Sequence, residues 1–200
     1  MQHAVPMSVV VCVAALLASS AAAQTPQEPA PAPAPVFVSP PPPPATLMER
    51  FKPANGSVLT IGSEDLGDVA GISVDVRELR DSSGNHARGV IVEMNAGRQA
   101  PHEQSFVDED ELPELLKGVD ALLGVSQNPT PFKNFDIQYA TRGELVLTAS
   151  SSRNRGIVYR VEVGRLVKLR SGPLTAGEIH QLRTLFEGAS QKLATVPRSR

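Results

Sequence analysis

Apolar positions in this chain follow two different periods, and the switches between them mark out its elements. Leu112, Leu115, Leu116, Val119, Leu122 and Leu123 fall three, four or seven residues apart. That stripe has the 3.6-residue period of an amphipathic helix and predicts one over residues 112–123. Pro113 must sit in its first turn, because deeper in a helix its ring would clash with the carbonyl four residues back. The N-cap is therefore expected at Asp110 or nearby. Asp108, Glu109, Asp110 and Glu111 crowd this start, where free N–H groups and the positive dipole end favour anions. Gly124 reads as a left-handed stop, and Asn128-Pro129 prevents continuation.

Elsewhere the period is two. Residues 58–61 form a short apolar strand, and Ile72, Val74 and Val76 alternate with Ser73, Asp75 and Arg77, as a half-buried strand requires. Residues 81–85 have turn composition, and residues 90–94 return antiparallel. After the helix, Phe135, Ile137 and Tyr139 alternate with Asp136 and Gln138. Residues 141–144 make a tight turn into a strand that carries Leu145, Leu147 and Ala149 on one face. A third strand places Ile157, Tyr159, Val161 and Val163 opposite Arg160 and Glu162, and Gly164-Arg165 breaks its alternation with a bulge or bend. Thr175 and Glu178 have capping-box spacing, with Leu174 and Ile179 as a hydrophobic staple. Ile179, Leu182, Leu185, Phe186, Ala189 and Leu193 then form the buried stripe of a closing helix.

The expected fold is α+β: antiparallel sheets with two amphipathic helices packed on one face, the order β-β-β-α occurring twice. That order is similar to the arrangement in single-stranded nucleic-acid-binding proteins of the Whirly type, an analogy of fold with no motif behind it. The two halves match in plan and hardly in residues, so no sequence repeat is read.

Composition changes the picture mainly at the N-terminus. A short apolar run over residues 9–17, then Ala21-Ala22-Ala23, reads as a signal peptide over 1–23, cleaved before Gln24. The run is too short to span a bilayer comfortably, which takes roughly 20 apolar residues. No Lys or Arg precedes it, so an uncleaved N-terminal anchor is the minority reading. The expected location is periplasmic or secreted, with no transmembrane span in the mature chain. Cys12, the single cysteine, lies inside this signal, and cleavage would remove disulfide and thiol chemistry with it. Residues 24–46 form a linker. Ten of the 18 prolines lie there, which favours extended polyproline II, a semi-rigid spacer. Val36, Phe37 and Val38 are its apolar break and the part suited to docking. A single globular domain follows over 47–195, and residues 196–200 form a basic tail.

Candidate chemistry is sparse. His86, His102 and His180 have no metal-ligand spacing. The acidic run at 108–111 lacks the spread ligands and bend glycine of a calcium loop, so it reads as helix-start electrostatics. No GxSxG elbow, GxGxxG or Walker loop is present. No catalytic residue, metal or cofactor is assigned. Charge is uneven, however: through Asp136 there are 8 basic and 17 acidic residues, and from Ile137 onward 11 and 4. Arg142, Arg153, Arg155, Arg160, Arg165, Lys168 and Arg170 concentrate in the second sheet. On one face they would make an anion site for a lipid head group, polysaccharide or phosphate chain; the competing expectation is that they pair with the acidic first half. With no Trp and two Tyr, a stacking platform for nucleic acid is not expected.

The expected function is thus a non-catalytic binding or interaction module of the cell envelope, with an unknown envelope protein or an anionic polymer or lipid as partner. The alternatives are an anion-binding module using residues 142–170, and a hydrolase whose residues converge only in space.

Overall fold

A computed structural model of the chain describes residues 45–95, 102–152 and 156–196. The signal peptide, nearly all of the linker, Val36, Phe37 and Val38, Arg153, Arg155, and tail residues 197–200 lie outside them.

The alternating segments form two antiparallel meanders of four strands each. β1 (Leu59–Val69), β2 (Ile72–Asp81), β3 (His86–Asn95) and β4 (His102–Asp108) make the first sheet in that order. β5 (Asp136–Ala140), β6 (Val146–Ser152), β7 (Gly156–Val163) and β8 (Leu169–Arg170) make the second. Three helices accompany them: α1 (Leu47–Arg50), α2 (Leu112–Leu123) and α3 (Ala176–Thr195). The α+β architecture and the helix after each sheet are as expected, but four strands, not three, precede each helix.

The extra strands have physical reasons for being hard to read. In β4, the inward positions fall on Ser105 and Val107, both fully buried, so one of its two core residues is polar. Ser105 is satisfied there by the Gly164 amide, which donates to its hydroxyl at 3.1 Å. β8 has only two residues, too few to show a period. β1 extends far beyond residues 58–61, through a glycine-rich and acidic stretch with little to bury. What holds it is its backbone ladder to β2, interrupted by a bulge between Asp65 and Gly67.

The bounds of α2 agree with the stripe that predicted it, and Pro113 sits in its first turn. A 3₁₀ turn over Glu109–Glu111 leads in, and Glu111 is the N-cap. Gly124 ends the helix without a left-handed residue: its φ is −80° and its amide donates to the Asp120 carbonyl. α3 begins with the expected capping box, in which the Thr175 hydroxyl accepts from the Glu178 amide and the Glu178 carboxylate accepts from Thr175. The same Thr-x-x-Glu spacing at Thr46 and Glu49 caps α1. Gly164, at φ +97°, makes the bend after β7.

The helices are exchanged between the halves. α2, which follows the first sheet, packs against β5 and β6 of the second, while α3, which follows the second, lies on β1, β2 and β3 of the first. The two helices also pack on each other. One hydrophobic core therefore joins both sheets and both helices, with Val74, Val92, Leu115, Val161, Leu182 and Phe186 among its members. A smaller cluster lies on the opposite face of the first sheet, where Met48 of α1 packs on Ala87 and Ile91. Among the described residues, no helix is long and apolar enough to cross a membrane.

Candidate functional site

The described basic residues of the second half do not converge on one open face. Arg142, in the β5–β6 turn, reaches the acidic run before α2. Its amide donates to Glu111 at 2.7 Å, and its guanidinium pairs with Asp110 and Glu111. The hydrogen bond to Asp110 leads in holding the guanidinium above its ordinary pKa. Arg165, just past Gly164, pairs with Glu49 at 2.9 Å. Burial opposes ionisation of Glu49, yet hydrogen bonds from Thr46 and Arg165 outweigh it and leave the carboxyl below its usual range. Lys168 reaches Glu144 at 3.2 Å, and Arg170 of β8 pairs with Glu162 of β7. Arg160 is half-buried on the opposite face of the second sheet from the core, in register with Thr148. Arg142, Arg165 and Lys168 are thus brought together, but among carboxylates. Arg183 with Asp120 and Lys192 with Glu64 are further links between the acidic and basic halves.

The acidic run is engaged at longer range than helix-start electrostatics implies. Asp108 accepts from the amides of Leu47 and Met48 at 2.7 and 3.2 Å, and so caps α1. Glu109 takes a two-pronged contact from Arg88 at 3.0 and 2.7 Å. Asp110 and Glu111 hold Arg142. His180 is exposed on α3 and His86 begins β3. Among the described residues, no three His, Cys, Asp or Glu side chains gather as metal ligands.

An open strand edge is the more distinctive surface. Among the described residues, β1 is paired on one side only, by β2, and carries a row of outward backbone donors and acceptors along 11 residues. The opposite edge of that sheet is partly covered, since β4 meets Gly164 at Ser105 and the β5–β6 turn at Phe106. Proteins blunt exposed edges with charges and bulges. The second half of β1 has both: Glu64, Asp65 and Asp68, and the bulge before Gly67. The first half has neither. There Leu59 and Ile61 are 40% and 57% exposed, as is Val58 just before the strand, at 70%, and Ile61 stands opposite Leu79 on the outer face. The sequence showed a short strand here but not its place at an edge, since periodicity does not report strand order.

On that same outer face Asp65 stands directly opposite Asp75, a like-charge pairing that costs stability. Burial, and then the charge of Asp65, push the Asp75 carboxyl above its ordinary pKa, with Arg77 opposing. A raised carboxyl pKa means that the folded state binds the proton more tightly, so the penalty is present above the folded pKa and fades as pH falls below it. Asp75→Asn should therefore raise the thermal midpoint at pH 7, and the gain should vanish in acid below the unfolded value near 3.8. Melting curves across that range check the sign.

No protein-family model matches the chain, and no match to it is found among the curated proteins or the solved structures.

Proposed function

We propose that this chain is a non-catalytic, exported binding module of the cell envelope, carried on a proline-rich tether and capturing an extended partner segment along the first half of β1. The observation that carries the reading is the unblunted stretch of edge strand over residues 59–63, with Leu59, Ile61 and the preceding Val58 exposed beside it. An edge of this kind binds by strand addition. Main-chain hydrogen bonds give affinity, and side chains on alternating positions give selectivity. The short apolar run and small-residue motif at 9–23 support export, and the proline tract supports a spacer role.

The experiment is capture from an envelope extract with the tagged full chain at low and high salt. Partners held by main-chain and apolar contacts should survive high salt, which screens exposed charge contacts. The double variant Leu59→Lys and Ile61→Lys should lose them, and because both side chains are exposed its fold should be unchanged. Partners that salt removes and that the double variant retains would contradict the reading and return the weight to the arginines of residues 142–170.

A further inference from the structure

A cavity of about 240 Å³ lies between the core face of the first sheet and the last turn of α3. Its apolar wall is made by Val76, Leu193 and Val196. Four charged residues line it as well, and three of them have partners. Arg88 is held by Glu109 and by the Val196 carbonyl at 3.2 Å. Lys192 and Glu64 pair with each other at 2.8 Å.

The fourth is Glu78. It is half-buried and sits in register between Gly62 of β1 and Arg88 of β3. Among the described residues its carboxylate has no hydrogen bond or ion pair, although it lines the cavity. At a half-buried carboxylate beside an apolar wall, a cation gains more than in bulk water. Gly62 leaves room for one, since a Cβ added there would meet nothing within 4 Å.

From this cavity we infer that the protein binds a primary alkylammonium group, with the cation on Glu78 and the alkyl stem against Val76, Leu193 and Val196. At roughly 30 Å³ per heavy atom the space holds about eight heavy atoms, so an ammonium on a stem of up to about seven carbons fits. A free amine and a lysine side chain share this chemistry. An alkyl carboxylate of the same length does not, because Arg88 and Lys192 are already paired.

The test is an NMR titration of the ¹⁵N-labelled full chain at pH 7, following the amides of Gly62, Glu78 and Leu193. The probes are n-pentylamine, pentanoate and lysine blocked at both ends. Pentylamine should shift these amides saturably and pentanoate should not. Glu78→Gln should weaken the amine at least tenfold. Gly62→Leu, which fills the empty space, should abolish binding while leaving the unfolding midpoint within a few degrees. Saturable binding of blocked lysine as well would assign the source to a partner's side chain; binding of pentylamine alone would assign it to a free amine. Equal shifts with pentanoate, no effect of Glu78→Gln, or no shift with either amine would overturn the inference. Binding that develops only when Arg198 and Arg200 are both replaced by Ala would also overturn it, giving the cavity to the chain's own tail.

Discussion

Phe186→Ala is expected to destabilise the protein by about 3–5 kcal/mol, the range for removing a buried aromatic ring from a packed core. Phe186 is fully buried and sits midway along α3, the helix that follows the second sheet but covers the first. Its ring belongs to the core that joins both sheets and both helices. The sheet beneath is fixed by its ladders and can collapse only partly onto the hole it leaves. Urea unfolding of the full chain measures the loss, with Phe132→Ala as control. Phe132 is 77% exposed, and its truncation should stay within about 0.5 kcal/mol. A loss below about 1 kcal/mol for Phe186→Ala would mean that α3 does not close this core.

Gly143→Ala should cost about 1–3 kcal/mol or more, by overpacking instead of by a void. An added methyl at Gly143 would run into the Phe106 carbonyl oxygen, and would lie 2.9 Å from its carbonyl carbon and 3.1 Å from its nitrogen. All three atoms are backbone of β4, tied to β3 through the pairing of Phe106 with Ile91, so they cannot rotate away as a flexible side chain would. The β5–β6 turn would have to lift from the first sheet, loosening the neighbouring bond from the Arg142 amide to Glu111. Gly188→Ala is the matched control, since a methyl there meets nothing within 4 Å and Ala is the better helix former. It should be neutral or stabilising under the same denaturation assay.

Where the sequence was legible, one local physical signal ran long enough to be unambiguous. The leucine stripe gave the bounds of α2, and the Thr175–Glu178 box gave the start of α3. The same box at Thr46 and Glu49 precedes a helix of only four residues, with no stripe to draw notice to it. β4 escaped because Ser105 takes an inward place, satisfied by an amide 59 residues away. The exchange of helices was not legible either. A periodic stripe tells which face of α2 is buried, not that the face lies on β5 and β6.

The same holds for the charges. The excess of acid in one half and base in the other is plain from the residues, but the pairing of Arg165 with Glu49 spans 116 positions. Only the fold decides that Arg142, Arg165 and Lys168 lie among carboxylates. The open edge of β1 was hidden for a related reason. Val58, Leu59 and Ile61 look like core residues in a strand, and only the strand order shows that they border an edge left unpaired among the described residues.

The most direct measurement is site-specific photo-crosslinking in the cells that make the protein, from a photoreactive residue placed at Ile61 and, in a separate variant, at Gln138 on the exposed face of β5. A discrete adduct of defined mass is expected from position 61 and none from position 138. Adducts from position 138 alone, or the same adducts from both positions, would contradict binding along the edge of β1.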